Sequence, residues 1–265
     1  QYAAAAKIGF LLVVAMEVLW KALLPRLSRL AAESPDAFRR RFQLYFGLVA
    51  AVLLPVATGG VLLGPVLMRL VYTDAYAAAG PVFQLLAVSH TVLSLGWFLG
   101  NSLIANDRQA AFFPPLLISA LVTITVGVLL IGRAGTEDDG LAAAVGMLAG
   151  HVTLLAVLAV ICRAWFTRRL WPLAVTVAGG LLALIAAVLA TAAAGLLLRV
   201  AAGAAAYGLV VAWPLRRWSP AAACCAARRS SATAARRCPA SPAATASGPS
   251  RAGASPPASR CWRRC

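Results

Sequence analysis

The sequence predicts an all-α polytopic membrane protein with about seven transmembrane helices. Three observations carry that prediction. Of 265 residues, 62% are hydrophobic and only 12% charged, with a mean hydropathy of +0.83; soluble domains run near 45–50% apolar and about 25% charged. Seven apolar stretches each approach the roughly 20 residues that a bilayer-spanning helix needs. They are rich in Leu, Val and Ala and show no period-2 alternation, which favours helices over barrel strands. Ordinary soluble enzymes are excluded at this level.

The spans run, in order, over about 3–24, 43–68, 81–104, 111–131, 140–162, 171–191 and 195–213. The first carries Lys7, Glu17 and Lys21. The second contains Pro55 and the fourth opens near Pro114 and Pro115, where missing backbone donors are expected to kink the helices. The third holds His90 and ends near Asn101 and Ser102, and the fifth holds His151. Gly96-x-x-x-Gly100 and Gly146-x-x-x-Gly150 favour close helix–helix approach. The last two spans are separated only by small residues around 192–195, and Arg199 near the start of the seventh is expected to snorkel outward.

The connections sort by charge. The first, residues 25–41, holds Arg26, Arg29, Arg39, Arg40 and Arg41. Within it, Ser34-Pro35-Asp36 reads as the start of an interfacial helix. The second has Arg69 and Asp74, the third Asp107 and Arg108. The fourth is acidic, with Glu137, Asp138 and Asp139 against Arg133. The fifth has Arg163, Arg168 and Arg169, and the seventh span ends in Arg216 and Arg217. With the odd-numbered connections in the cytoplasm, all seven spans alternate without conflict. Gln1 then lies outside, which leads to the expectation of an odd number of preceding spans and of a chain lacking its N-terminal part.

The 47 residues from 219 to 265 differ in kind. They contain 15 Ala, 8 Ser, 8 Arg, 6 Pro and 5 Cys, and no Leu, Ile, Val, Phe, Met or Tyr. That composition buries too little to offset ordering entropy, so a disordered basic tail is expected. It carries half of the net charge of +16. It reads either as a GC-rich gene translated out of frame or as a basic tail on anionic lipid. Cys224, Cys225, Cys238, Cys261 and Cys265 form no CxxC pair, so neither a zinc site nor a disulfide framework is indicated.

Ionisable residues inside a membrane are costly and mark functional sites. Glu17 and Lys21 stand at i, i+4 and can neutralise each other; with Tyr2 and Lys7 they are expected to give the first helix one polar side. His90 and His151 could relay a proton, bond a sugar hydroxyl, or simply complete an interhelical hydrogen bond. No GxxxxGK[ST], HExxH or GxSxG motif occurs, and no metal site is expected. No connection is long enough to hold a catalytic domain.

Several short motifs, taken in order, resemble the polysaccharide (Wzx-type oligosaccharide) flippases of the MATE-like MOP superfamily. Tyr2-Ala-Ala-Ala-Ala-Lys7-Ile8 resembles the start of that family's eighth helix, and Leu23-Leu24-Pro25-Arg26-Leu27-Ser28 its end. Leu53-Leu54-Pro55 and Leu70-Val71-Tyr72-Thr73-Asp74-Ala75-Tyr76 are similar to the next helix and loop, where the family often has Gly at the place of Thr73. Phe83-Gln84-Leu85-Leu86-Ala87, Asn101-Ser102-Leu103-Ile104-Ala105-Asn106-Asp107-Arg108 and the Gly140 segment follow in the family's order. The resemblance covers about residues 2–217; the tail has no counterpart.

The resemblance implies the C-terminal bundle of a two-bundle, alternating-access transporter in the cytoplasmic membrane, with its C-terminal end cytoplasmic. Its substrate would be a lipid-linked oligosaccharide. No enzyme activity, nucleic acid or resident cofactor is implied, while H⁺ or Na⁺ coupling stays open. Membrane lipids and polysaccharide-assembly machinery are the expected partners. Lys7, Glu17, Lys21, His90 and His151 are the substrate-cavity candidates. Lys7 and Lys21 would neutralise pyrophosphate oxygens, and Glu17 would couple an ion or balance Lys21. Rival readings are a multidrug/cation antiporter of the same superfamily, which would want more embedded acids, and a membrane polymerase or glycosyltransferase, which would want a larger outer loop. By itself, half a two-bundle transporter is expected to be inactive.

Overall fold

Long runs of Leu, Val and Ala leave the backbone no partner in a membrane but itself, so helix is the economical solution. The computed structural model describes residues 2–134, 139–166, 170–193 and 195–218, and among them the regular elements are all helical. Seven α-helices run α1 (Tyr2–Glu33), α2 (Pro35–Tyr72), α3 (Gly80–Ile104), α4 (Phe113–Ala134), α5 (Asp139–Ile161), α6 (Leu170–Ala190) and α7 (Leu196–Trp218). Short 3-10 turns at Asp74–Ala79, Gln109–Ala111 and Arg163–Trp165 join some of them. The expected tail at 219–265, Glu137 and Asp138 of the acidic connection, and Arg168 and Arg169 lie outside the described residues.

Six of these helices are long and apolar enough to cross a membrane; the apolar part of α7, Leu196–Ala212, falls short of that length. Seven full spans were expected, and six are of full length among the described residues; Arg199, one turn into α7, donates from Nε to the Thr191 carbonyl at 3.2 Å. The outer surfaces are apolar in the way a bilayer requires. Leu117, Leu121, Ile124 and Val128 form an exposed stripe along α4, and Phe10, Leu11 and Val18 do so on α1. A water-soluble monomer rarely exposes contiguous apolar surface on this scale. The chain is a multi-pass α-helical membrane protein.

Helix boundaries depart from the sequence reading at the first connection. Residues 25–41 are not a loop: α1 continues through Pro25 to Glu33, and α2 starts two residues later. The break falls at Ser34, whose extended backbone (φ −165°, ψ 125°) and side chain cap α2, with the Ala37 N–H donating to Oγ at 3.4 Å. Pro35 at the first helical position and Asp36 beside the positive helix end complete the start signal. At 38 residues, α2 is about 57 Å long and exceeds the hydrocarbon thickness. It runs unbroken through Pro55 and Pro65. Pro114 and Pro115 occupy the first turn of α4, near the start of the span as expected, where the missing N–H groups would be unpaired anyway and cost the helix no internal bond.

α2 ends at Thr73, whose N–H donates to the Arg69 carbonyl at 3.0 Å and whose backbone has φ 79° and ψ 173°. That region is essentially reserved for glycine. Asp107, at φ 56°, turns the chain between α3 and α4; a short polar side chain tolerates that conformation.

α3 is the centre of the bundle: 67% of its apolar window is buried, against 6% for α1 and 11% for α4. It packs on α1, α2 and α5, while α4 lies on α5 and α6 on α2. At one end Phe38 and Phe42 of α2 meet Trp165 beyond α5 at 5.2 and 5.1 Å, and Gln43 Nε2 donates to the Trp165 carbonyl at 2.6 Å. Leu27, Leu103 and Cys162 join the same core. The opposite end gathers Ala5, Met68, Val82 and Ala144, and Tyr72 Oη donates to the Ala4 carbonyl at 3.3 Å. Consecutive helices therefore alternate in direction. Arg26, Arg29, Arg39, Arg40, Arg41, Arg108 and Arg163 all fall toward the first end, so the odd-numbered connections share one side, as the charge pattern predicts.

The α4–α5 seam explains the Gly146 and Gly150 spacing. A Cβ at Gly146 would lie 2.9 Å from the Gly127 Cα, and one at Gly150 would lie 2.8 Å from the Ser119 carbonyl and collide with Thr123 Oγ1. Ser119 Oγ donates across the seam to the Gly150 carbonyl at 2.9 Å. Gly96 and Gly100 serve different neighbours, Leu154 and the Phe112 ring. The chain divides after Val211 into two units; all contacts above belong to the first, and of the second only residues 212–218 are described.

Candidate functional site

α1 and α3 run side by side in the same direction. Gly9 meets His90 near the middle, and the Trp20 ring packs edge-on against Phe98 at 5.2 Å further along. Between them a cleft of about 410 Å³ opens on the exposed side of α1. One wall is α1 at Val13, Met16, Glu17, Leu19, Trp20, Lys21 and Leu23; the other is α3 at Leu93, Ser94, Trp97, Phe98 and Asn101, with Val49 of α2 between.

Polar groups are few and convergent. Glu17 Oε1 and Lys21 Nζ are 2.8 Å apart, both largely exposed. The i, i+4 spacing with Glu N-terminal is the favourable order for such a pair. Ser94 Oγ donates to the His90 carbonyl at 2.8 Å, which leaves its lone pairs for other donors. Asn101 is half-buried on the cleft wall. The exposed Trp97 is held edge-on by Phe112 at 6.2 Å. Trp20 Nε1 is buried and has no acceptor among the described residues.

The five candidates from the sequence separate into three places. Glu17 and Lys21 line the cleft together. Lys7 is exposed but is not among the cleft-lining residues. It precedes Glu17 by ten residues, about 15 Å along the axis, and lies about 40° around the helix from Lys21, so distance along α1 and not helix face separates it from the cleft. Tyr2 faces α5 instead, with Oη donating to Met147 Sδ at 2.8 Å.

His90 and His151 belong to the packing of α3. His90 is buried against Gly9, where a Cβ would come within 2.6 Å of the imidazole Cδ2. His151 Nδ1 lies 2.7 Å from Ser89 Oγ and 3.2 Å from the Ser89 carbonyl, tying α5 to α3. Neither lines the cleft. Of the three roles open to them in the sequence, the interhelical bond is the one His151 makes.

Sequence reasoning did not single out Trp20, Trp97 or Ser94. Trp97 and Asn101 at i, i+4 were the available signal, but which face of α3 meets α1 is a long-range fact. No cluster of three or more metal-ligating side chains occurs among the described residues. Comparison with protein-family models, curated proteins and solved structures finds no match to this chain.

Proposed function

We propose that this chain is a transporter component that moves a lipid-linked oligosaccharide across the cytoplasmic membrane, with the α1–α3 cleft as part of the path. The observation that carries the reading is the Glu17–Lys21 pair, set in the otherwise apolar stretch 8–24 of α1 and exposed in a cleft instead of buried in the bundle. A membrane helix gains nothing by holding charged groups on its free side unless that side meets water or a polar ligand. The ordered motifs shared with the oligosaccharide flippases point the same way. In this reading the arginine-rich end faces the cytoplasm, and the two bundles of the intact transporter rock about the cleft.

The antiporter alternative is less favoured, since Glu17 is engaged by Lys21 and no second acid lies along the cleft among the described residues. The test is translocation. Proteoliposomes reconstituted from membranes of cells that make the protein, so that a partner bundle is carried along, are loaded with a lipid-linked oligosaccharide bearing a fluorescent sugar, and inner-leaflet fluorophore becomes reducible by external dithionite as it crosses. Protein-dependent translocation, diminished by Glu17→Ala and by Lys21→Ala at equal incorporation, is the expected result. Equal rates with and without protein would refute the reading.

A further inference from the structure

Charge balance in the cleft separates two kinds of ligand. Had Lys21 stood alone, it would select an anion. It is instead neutralised by Glu17 at 2.8 Å, and no other ionisable side chain among the described residues lines the cleft. What remains is a set of alternating donors and acceptors: the ammonium, the carboxylate, the Asn101 carboxamide with both functions, and the Ser94 oxygen, whose own proton is committed to the His90 carbonyl. Two indole rings flank them. Trp20 is fixed edge-on against Phe98 and Trp97 edge-on against Phe112, so each face is held in place by a neighbour. Fixed aromatic faces beside hydrogen-bonding groups of zero net charge complement a pyranose ring, whose C–H face is apolar and whose rim carries hydroxyls.

We infer that the cleft is a stacking subsite for an uncharged sugar ring, with Trp97 as the platform and Asn101 and the Glu17–Lys21 pair bonding its hydroxyls. This rests on the transport reading for its biological meaning and differs from the expectation that Lys21 meets a phosphate. It assigns the cleft to the glycan portion of the substrate and makes Trp97 and Asn101 specificity-determining residues.

Saturation-transfer NMR on the full chain in phosphatidylcholine nanodiscs tests it directly, with methyl β-maltoside as the neutral probe and glucose 1-phosphate as the anionic one. Transfer to the maltoside ring C–H protons is expected, and Trp97→Ala should weaken it about fivefold, the scale of one lost aromatic contact. Trp171→Ala, which removes an exposed tryptophan on α6, should leave it unchanged. Asn101→Ala should weaken hydroxyl-dependent binding without altering the fold of the spectrum. Transfer to glucose 1-phosphate alone, or maltoside transfer indifferent to Trp97→Ala, would overturn the subsite. Because the readout is binding, it is independent of translocation. Sugar stacking without translocation would sink the transport reading only, and translocation indifferent to Trp97 would sink the subsite only.

Discussion

Gly150→Ala is the sharpest structural perturbation that the bundle offers. The new methyl would stand 2.8 Å from the Ser119 carbonyl and 3.0 Å from Thr123 Cβ, and would overlap Thr123 Oγ1. A backbone carbonyl cannot swing aside as a side chain can, so α4 must move off α5. Overpacking of this kind costs about 1–3 kcal/mol. Separation also stretches the 2.9 Å bond from Ser119 Oγ to the Gly150 carbonyl, and interhelical bonds in membranes are worth about 0.6 kcal/mol. Against this, alanine is a better helix former than glycine by about 1 kcal/mol. The balance is a destabilisation of about 2 kcal/mol. Gly59→Ala supplies the control: nothing lies within 4 Å of a Cβ there, so only the helix-propensity gain of about 1 kcal/mol remains. Reversible unfolding by SDS titration in mixed micelles should place the two variants on opposite sides of the wild type, about 3 kcal/mol apart by the same two contributions. Equal stability of the two would refute the close α4–α5 contact.

Other expectations follow from the same geometry. Thr73→Gly should stabilise the protein by about 1–3 kcal/mol by relieving a backbone that only glycine adopts freely, read in the same titration. Gly9→Ala presses on the His90 ring at 2.6 Å and should destabilise, whereas Gly9→Ala with His90→Ala should recover part of the loss, a coupling visible in a double-mutant cycle. Glu17→Ala should lower the amount of protein recovered from membranes, because it leaves Lys21 without its partner, and Glu17→Ala with Lys21→Ala should restore it; no recovery in the double variant would count against the pair. Single cysteines at Ser34 and Asn106 should label from the same side of right-side-out vesicles, and one at Thr73 from the other.

Much of the architecture was legible because a bilayer imposes a length and a polarity on each span. The apolar runs of α3, α5 and α6 nearly match their helices. The failures have physical causes. Arginines between residues 25 and 41 suggested a loop, yet arginine is a good helix former and only Ser34 carries a cap. Pro114-Pro115 was expected to kink α4, but in a first turn the missing N–H groups cost no internal bond. At the site, Glu17 and Lys21 were legible as a pair since i, i+4 is a local relation. Lys7 lies about 15 Å before Glu17 along the same helix, outside the residues that line the cleft. Trp20 and Trp97 become neighbours only through the parallel register of α1 and α3, and His90 leaves the cleft for the same reason: it faces Gly9. That register is set by which small residues admit which large ones, information distributed over both helices.

The central claim is that the α1–α3 cleft borders a hydrated path and is not filled with lipid. Cysteine accessibility in native membranes tests it most directly, in a background with the six native cysteines replaced by serine. Val13→Cys and Trp97→Cys, on the cleft walls, should react with a membrane-impermeant maleimide, while Leu121→Cys and Ile124→Cys, on the outer stripe of α4, should not. Cleft positions as unreactive as Ile124→Cys would mean that the cleft is filled with lipid, and the transport path proposed here would be wrong.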